Sequence, residues 1–276
     1  MKKWFAVIGD PIAQSKSPEM HNKWLEIEGI DATYIPILVK PEDLENAIQS
    51  LSLLGVSGFN VTIPHKTAII PYLDEVDETA REMGAVNTVV RLSNGKLKGY
   101  NTDGDGFVRS LEDKISTKKR HLPVLIIGAG GAARGIAFSL KKHGYQHITV
   151  TNRTRSKAEE LIADLGTGNA IEYDEASNTL AQYKILIQTT PAGMKYSDLH
   201  LPISIDRMSK ETIAADIVYN PLMTPFLKHA HNIGATVVTG LGMFVHQGAI
   251  AFEHWLGQYP NTNLMIEKLT SQLESE

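Results

Sequence analysis

The first hundred residues change repeatedly between the hydrophobic period of a strand and that of a helix. Short apolar runs predict strands over 4–9, 33–38 and 55–62. Segments with helical periodicity predict helices over 17–29, 41–55 and 74–84. Ser17 before Pro18 predicts an N-cap followed by a proline in the first helical turn. Two more apolar runs flank Asn94-Gly95, which predicts a β-hairpin over 87–100 with a type I′ turn.

From residue 122 onward, strands and helices alternate in a regular order. The predicted strands are 122–128, 148–152, 184–190, 212–219 and 235–239. The predicted helices are 132–142, 156–165, 224–233, 243–256 and 261–274. Repeated strand–helix units bring parallel strands into one sheet and place helices on both of its faces. We therefore expect an α/β fold with a doubly wound parallel sheet in the second half of the chain.

The stretch G-F-N-V-T-I-P-H-K, residues 58–66, begins as a strand and ends in polar side chains. Its apolar residues are expected in the core, and they are Phe59, Val61 and Ile63. The alternating positions Asn60 and Thr62 are expected on the other face. Pro64 ends the pattern, and His65 and Lys66 follow directly. This ending predicts that polar groups gather where the strand stops.

Composition narrows the class of protein without naming it. The 276 residues are 42% hydrophobic and 21% charged, with a net charge of -4, so no basic surface for nucleic acid is expected. The absence of cysteine excludes disulfides and thiolate chemistry and fits a reducing cytoplasm. No H-E-x-x-H spacing occurs among the ten histidines, so no metal site is expected. Polar residues and glycines interrupt the uncharged stretch 231–252, so no membrane span is expected.

A glycine-rich turn follows the strand predicted at 122–128. Gly128, Gly130 and Ala133 have the G-x-G-x-x-A spacing, between an apolar strand and the start of a helix. In that context the glycines allow a tight turn and the approach of a pyrophosphate to the helix N-terminus. The alternative is ordinary turn chemistry. The context favours a dinucleotide site.

The end of the next strand indicates which dinucleotide is bound. NAD sites place a carboxylate there for the ribose 2′-hydroxyl. This chain instead has Asn152, Arg153 and Thr154, with Lys157 close by. Arg153 is suited to pair with a 2′-phosphate or to stack on adenine. The alternative is a solvated basic loop, and the position favours NADP over NAD.

Lys66 and Asp103 are the candidates for proton transfer outside the dinucleotide domain. Reduction of a carbonyl by hydride needs a proton donor, and a carboxylate beside a lysine would orient its ammonium group. Each residue also has a structural explanation, because Lys66 fits a surface position and Asp103 fits a helix N-cap. The histidines His65 and His246 are rivals for the same task.

Nine motifs, in order along nearly the whole chain, resemble those of the shikimate dehydrogenases. They are S-K-S-P, N-V-T-I-P-H-K, G-A-V-N-T, N-T-D-G, G-A-G-G-A, N-R-T, T-P-A-G-M, D-I-V-Y-N-P and G-x-G-M-F-V-H-Q-G. The resemblance implies NADP-dependent interconversion of 3-dehydroshikimate and shikimate, a small-molecule substrate. Quinate turnover with NAD and a catalytically silent NADP-binding regulator stay open as alternatives. A homodimer also stays open as its assembly.

The resemblance also implies an architecture and a site. It implies an α/β substrate domain over 1–102, a Rossmann-like NADP domain over 103–239, and helices over 240–276 that return to the first domain. Lys66 and Asp103 match the catalytic pair. The implied substrate ligands are Lys66, Asp103, Ser15, Ser17, Thr62, Asn87, Tyr219 and Gln247. The implied cofactor contacts are Gly128, Ala129, Gly130, Gly131, Ala132, Asn152, Arg153, Thr154, Lys157, Thr190, Ile217, Gly240 and Met243. Gln188-Thr189 departs from the family pattern.

Overall fold

A computed structural model describes residues 2–195 and 197–275, whose strands form two six-stranded sheets. These residues divide into two compact units. The first comprises Met1–Thr102 and Gln247–Met265, and the second comprises Asp103–His246 and Ile266–Glu276. Each unit contains one sheet, and each is described separately below.

The strands and helices are as follows. The strands are β1 Lys3–Gly9, β2 Ala32–Leu38, β3 Gly58–Val61, β4 Glu75–Val76, β5 Thr88–Arg91, β6 Leu97–Tyr100, β7 Val124–Ile127, β8 Ile148–Thr151, β9 Asn169–Ile171, β10 Ile185–Gln188, β11 Ile213–Asp216 and β12 Thr236–Val238. The helices are α1 Ser17–Ile27, α2 Leu44–Leu53, α3 His65–Ala68, α4 Glu78–Met83, α5 Asp103–Glu112, α6 Gly131–Lys142, α7 Arg155–Leu165, α8 Tyr173–Thr179, α9 Pro225–Asn232, α10 Gly240–Leu256 and α11 Thr262–Ser275.

The sheet of the first unit is mixed. Its strand order is β2-β1-β3-β5-β6-β4. Strands β1, β2 and β3 are parallel, whereas β5 runs antiparallel to both β3 and β6. The carboxyl ends of β1 and β3 therefore lie at the same edge as the amino end of β5. The segments that follow β1 and β3 and the one that precedes β5 carry the predicted substrate ligands Ser15, Ser17, Thr62, Lys66 and Asn87.

The hairpin predicted over 87–100 is present, but its turn is not the predicted one. The Gly95 N–H donates to the Leu92 carbonyl at 2.9 Å, so the central pair is Ser93-Asn94 and not Asn94-Gly95. Gly95 follows with a φ of 85°, and the Leu92 N–H donates to the Lys96 carbonyl at 2.8 Å. This is a three-residue loop in which glycine takes the left-handed position after the turn. The type I′ prediction was wrong because the last hydrogen-bonded pair of the hairpin is Leu92 with Lys96, which leaves three residues in the loop instead of two.

Two predicted helix starts also differ. The helix predicted over 74–84 begins only at Glu78, because Glu75 and Val76 pair with β6 and the Asp77 carboxylate caps the helix by accepting the Thr79 N–H at 3.1 Å. In α1, Ser17 is already helical and Lys16 occupies the N-cap position, so the prediction of Ser17 as the N-cap was wrong. Two short elements, β9 and α8, were not predicted because 169–179 lacks a clear apolar period.

The second unit contains the predicted parallel sheet. Its order is β12-β11-β10-β7-β8-β9, and all neighbouring strands are parallel. The order reverses between β7 and β10, which is the switch point of a doubly wound dinucleotide-binding fold. Two separate apolar clusters pack against this sheet: one includes Leu111 and Ile136, and the other includes Leu180 and Leu227. The prediction of an α/β fold with a doubly wound sheet is confirmed.

Candidate active site

Strand β3 carries the stretch G-F-N-V, and all four of its residues are buried. Phe59 and Val61 are core residues, as predicted. Ile63 is 63% exposed, so its predicted place in the core was wrong. The strand ends at Val61, and the period of two does not extend into the turn that leads to α3. Asn60 is buried as well, which alternation with a polar face did not predict.

Asn60 stays buried because hydrogen bonds satisfy its amide. Its carbonyl oxygen accepts the Tyr34 hydroxyl at 2.7 Å. Its amide nitrogen donates to the Asn87 carbonyl at 3.1 Å and to Thr88 Oγ1 at 3.0 Å. A buried amide without such partners would be strongly unfavourable. Asn60 therefore joins β2, β3 and the start of β5 at the carboxyl edge of the sheet.

Asn87, one of the predicted substrate ligands, makes several hydrogen bonds inside the first unit. It is 2% exposed. Its Oδ1 accepts the Thr102 N–H and the Thr88 hydroxyl, both at 2.9 Å. Its Nδ2 donates to Thr102 Oγ1 at 3.0 Å and approaches Gln247 Oε1 at 3.5 Å. The Thr102 hydroxyl also donates to the Gln247 carbonyl at 3.0 Å. Asn87 and Gln247 thus meet through Thr102, although they lie 160 positions apart.

Ser15 and Ser17 lie at the other end of this polar network. Ser15 Oγ accepts the Ser17 N–H at 3.3 Å. Ser17 is buried, and its hydroxyl is hydrogen-bonded to Tyr34. Burial is the largest influence on the Tyr34 hydroxyl and raises its pKa well above the usual value, so Tyr34 is a neutral donor. A chain of hydrogen bonds therefore runs from Ser17 through Tyr34 and Asn60 to Asn87.

Thr62 and Lys66 follow β3 directly. The Thr62 N–H donates to the Ile8 carbonyl at 3.0 Å, and the Thr62 carbonyl accepts the His65 N–H at 2.9 Å. Lys66 lies in the single turn of α3, and its carbonyl accepts the Val86 N–H at 2.8 Å. The Lys66 backbone is therefore fixed against the segment that precedes Asn87. Asp103 is the first residue of α5 and belongs to the second unit.

The two rival histidines both have structural partners. The His65 ring is 1% exposed, and its Nε2 lies 2.6 Å from the Val39 carbonyl. His246 Nε2 lies 2.7 Å from Asp113 Oδ2. Burial lowers the pKa of His246, and the Asp113 carboxylate opposes that shift in part. These contacts place each ring in a fixed hydrogen bond to its own unit.

The glycine turn of the second unit fits a pyrophosphate. Gly128 has a φ of 115°, and a Cβ there would lie 2.5 Å from Thr189 Oγ1. A Cβ at Gly130 or Gly131 would meet nothing within 4 Å, so open space lies in front of the first turn of α6. Ala133 is fully buried, as close packing of helix on strand requires. Backbone N–H groups at this helix start are available to an anion. Ala129 and Ala132 complete the turn.

The basic loop after β8 contains one arginine that forms ion pairs and two cationic side chains that do not. Arg155 pairs with Glu159 at 2.7 Å and with Glu172 at 3.4 Å. Arg153 and Lys157 are exposed, and no carboxylate of the described residues forms an ion pair with either side chain. Asn152 donates to the Thr154 carbonyl at 2.9 Å, which shapes the loop. Arg153 and Lys157 are therefore the cations that stay open to a phosphate.

The remaining predicted contacts lie in loops and in α10. A Cβ at Gly240 would lie 2.4 Å from the Ile217 carbonyl oxygen, so only glycine allows the start of α10 to approach the loop after β11. Tyr219 stacks on Phe244 with ring centres 5.0 Å apart. Met243 packs against the core of the second unit. Thr190 lies in the loop after β10, two residues beyond the buried Gln188.

Sequence reasoning missed several residues that organise these loops. They are Tyr34, Asn60, Thr102, Gln188 as a hydrogen-bonding group, and Asp216. The available signal was a polar residue inside or just beyond a predicted buried strand, which Asn60, Gln188 and Asp216 share. Within 2–195 and 197–275, no cluster of three or more potential ligands is arranged to hold a metal. No helix in the same ranges has the length and hydropathy to cross a membrane.

Three family models match successive parts of the chain. They describe a shikimate dehydrogenase substrate-binding domain over residues 7–89, a shikimate/quinate 5-dehydrogenase over 110–217, and a shikimate 5′-dehydrogenase C-terminal domain over 240–270. An NADP(+) shikimate dehydrogenase of Lysinibacillus sphaericus is 61% identical over 273 residues, 99% of each chain. These matches cover both units, including the motifs that carry the resemblance.

Solved structures agree with the sequence matches. The shikimate 5-dehydrogenase of Thermus thermophilus, in complex with NADP(H) and shikimate, is 35% identical with a TM-score of 0.86, and the match covers 96% of this chain and 97% of that chain. A 5-ketofructose reductase of a Gluconobacter strain is 36% identical with a TM-score of 0.90, and the match covers 98% of this chain and 99% of that chain. The fold is thus shared by enzymes with different substrates, whereas the identity to the curated relative is much higher. The resemblance found in the motifs is confirmed, and the chain belongs to the shikimate/quinate dehydrogenase family.

Proposed function

We propose that this chain is an NADP-dependent shikimate dehydrogenase that interconverts 3-dehydroshikimate and shikimate. The observation that carries the proposal is the 61% identity to an NADP(+) shikimate dehydrogenase over 99% of both chains. The buried polar network of the first unit supports it, because a polyhydroxylated ring needs several fixed donors and acceptors. The open glycine turn and the unengaged cations after β8 support the cofactor assignment.

NADPH, when bound at the glycine turn, would supply a hydride for C3 of the substrate. The Lys66 ammonium group donates a proton to the C3 oxygen as the carbonyl becomes an alcohol, and the resulting amine regains a proton from solvent. Asp103 is proposed to accept a hydrogen bond from Lys66 during the reaction and so to orient the ammonium. In the reverse direction, the neutral amine of Lys66 takes the hydroxyl proton. Thr62 follows β3 four residues before Lys66 and is proposed to contact a ring hydroxyl.

The polar network is proposed to bind the rest of the substrate. Ser15 and Ser17 would donate their hydroxyl hydrogens to the carboxylate, which binds it without adding positive charge. Asn87 and Gln247 would bind ring hydroxyls. The Asn87 amide is already oriented by Thr102, and its Nδ2 lies 3.5 Å from Gln247 Oε1, so little side-chain entropy is lost on binding. Tyr219 is proposed as a further substrate contact from the second unit.

The cofactor assignment rests on charge. A 2′-phosphate needs cations that are not already neutralised, and Arg153 and Lys157 meet that condition where Arg155 does not. Asn152 and Thr154 would add hydrogen bonds. Backbone at Gly128, Ala129, Gly130, Gly131 and Ala132 would bind the pyrophosphate. Thr190, Ile217, Gly240 and Met243 are proposed to line the nicotinamide half.

The domains and the setting follow from the same proposal. Residues 1–102 with the helices of 240–276 would form the substrate domain, and 103–239 the NADP domain. The first compact unit includes only 247–265 of those helices, and the rest of them belongs to the second unit. The enzyme would act in the cytoplasm in the synthesis of aromatic amino acids through chorismate. Assembly as a homodimer is open to a sedimentation measurement.

Steady-state rates with shikimate and quinate, each with NADP and NAD, test the function. We expect the highest kcat/KM for shikimate with NADP. A higher kcat/KM for quinate with NAD would replace the proposal by the other activity of the family. No turnover with any pair, in protein that binds NADPH, would indicate a silent binding protein.

A further inference from the structure

Gln188 and Asp216 form a buried polar pair at the carboxyl edge of the second sheet. They are direct neighbours in the register of β10 and β11, at the carboxyl ends of both strands. Gln188 is 0% exposed and Asp216 is 1% exposed. The Gln188 amide nitrogen lies 3.5 Å from Asp216 Oδ1. Neither residue has an assigned role in the proposed reaction.

Gln188 holds the loop that follows β10. Its Nε2 donates to the Thr190 carbonyl at 2.9 Å and to the Ala192 carbonyl at 3.1 Å. Its Oε1 accepts the Thr190 N–H. One side chain therefore binds both carbonyl oxygens and an N–H group of the loop backbone. Strand β10 ends at Gln188, and its side chain supplies hydrogen-bond partners for the backbone of Thr190 and Ala192.

Asp216 holds the loop that follows β11. Its Oδ1 accepts the Val218 N–H at 2.9 Å, and its Oδ2 accepts the Thr224 hydroxyl at 2.7 Å. Thr224 Oγ1 in turn accepts the Leu227 N–H at 3.3 Å and so caps α9. The loop from 217 to 224 is thereby tied to the sheet at its beginning and at its end.

The position of the two loops in the sheet indicates what they serve. In the order β9-β8-β7-β10-β11-β12, the basic loop follows β8 on one side of β7, and these two loops follow β10 and β11 on the other side. A dinucleotide lies across this switch point with its two halves on opposite sides. The loops held by Gln188 and Asp216 therefore face the nicotinamide half. Thr189 Oγ1 also donates to the Ile127 carbonyl at 2.8 Å, which joins the first loop to the glycine turn.

We infer that Gln188 and Asp216 are positioning residues that act as one unit to set the geometry of the nicotinamide half of the cofactor site. The inference rests on the proposed use of NADP. Both residues act through the backbone of their loops and are placed too deep to touch the cofactor. The pair joins the Thr190 loop to the loop that carries Tyr219, so a change in one loop reaches the other through two side chains.

Binding titrations with two ligands test the inference without requiring turnover. NADPH engages both halves of the site, whereas adenosine 2′,5′-bisphosphate engages only the adenine half. Gln188→Met fills the same space without hydrogen bonds, and we expect it to weaken NADPH binding about tenfold or more, since several buried bonds are lost. Affinity for adenosine 2′,5′-bisphosphate should change less than about twofold. Gln182→Met, at an exposed position of the same unit, is the matched control.

Variants of the second residue give an independent measurement. Asp216→Leu should act like Gln188→Met. Asp216→Asn keeps an acceptor for the Val218 N–H and should restore NADPH affinity to within about threefold of wild type. The double variant of Gln188→Met and Asp216→Leu should lose far less than the product of the single losses if the pair acts as one unit. If Gln188→Met does not fold, Thr224→Val removes one bond to Asp216 and should weaken NADPH selectively.

Three results would overturn the inference: equal weakening of both ligands, unchanged NADPH affinity in folded Gln188→Met and Asp216→Leu, or single losses that multiply in the double variant. Failure of the proposed function gives a different result, because wild-type protein would then fail to oxidise shikimate whatever the titrations show. Steady-state rates of the folded variants complete the test. The KM for NADP should rise about tenfold while the KM for shikimate changes less than about threefold.

Discussion

His21 makes the first unit sensitive to acid, and this leads to a quantitative prediction. The ring lies in α1, is 1% exposed, and stacks on Tyr34 with ring centres 4.3 Å apart and planes 9° apart. Trp24, Phe252 and Trp255 surround the same ring. Neither ring nitrogen has a hydrogen-bond partner among the described residues. Burial lowers the pKa of His21 from 6.5 to about 3.

The sign follows from which state binds the proton. In the unfolded chain the His21 ring takes up a proton below about pH 6.5, whereas in the folded unit the ring stays neutral down to about pH 3. The free energy of unfolding therefore falls as the pH falls through this window. With these two pKa values, the loss between about pH 7 and about pH 5 is about 2 kcal/mol. A neutral replacement such as His21→Phe or His21→Leu removes this loss.

Urea unfolding of wild type and both variants near pH 7 and near pH 5 measures the effect. All three tryptophans, Trp4, Trp24 and Trp255, lie in the first unit, so their fluorescence reports on the unit that contains His21. The measured quantity is the change in unfolding free energy between the two pH values. A packing cost of either substitution cancels in that difference, as do the other titrating groups. Equal pH dependence in wild type and both variants would refute a buried neutral His21.

Four further predictions concern the site. Lys66→Ala should lower kcat for shikimate oxidation at least about a hundredfold with an unchanged circular dichroism spectrum; turnover near that of wild type would remove Lys66 from the mechanism. Arg153→Ala should raise the KM for NADP about tenfold with little effect on the KM for NAD. Arg155→Ala is the control and should change neither KM much, because Arg155 already forms ion pairs with Glu159 and Glu172. Equal changes in the KM for NADP and for NAD would contradict a role of Arg153 at the 2′-phosphate. Thr102→Val should raise the KM for shikimate about tenfold and leave the KM for NADP unchanged, and a fall in both affinities would instead indicate a general loss of structure. Burial raises the pKa of Asp216 from 3.8 to about 6, so its protonation stabilises the fold fully below about pH 3.8, and this contribution is lost as the pH rises through 6. Wild-type protein should therefore gain about 1 kcal/mol of unfolding free energy from this group between about pH 7 and about pH 5, and calorimetry should find that Asp216→Asn lacks this gain. An unchanged pH dependence in the variant would contradict the shifted pKa.

The sequence alone was sufficient for five of the six strands of the second sheet and for the glycine turn. Strands buried on both faces appear as continuous apolar runs, and each run is followed by a helical period. These signals depend only on neighbouring residues, so they can be detected without knowledge of the fold. Gly128 illustrates this, because its left-handed φ and its close approach to Thr189 are both requirements that only glycine meets.

Prediction failed where side chains replace backbone partners. Asp77 and Gln188 end a pairing or start a helix by binding the backbone of residues two positions away. The hairpin turn moved by one residue because strand register, not the Asn94-Gly95 dipeptide, selected it. Ile63 is exposed because the strand ends before it. Each of these outcomes depends on which hydrogen bonds are available after the elements have packed.

The sequence by itself determined the order of the longer elements, the dinucleotide turn and, through its motifs, the family. Only the tertiary structure decided that Asn60 is buried, that Asn87 and Gln247 meet through Thr102, and that Gln188 and Asp216 form a pair. The physical reason is that a polar residue can be buried only beside partners that satisfy it. For these residues the partners come from elements distant in sequence. Their contacts exist only once the sheets have formed.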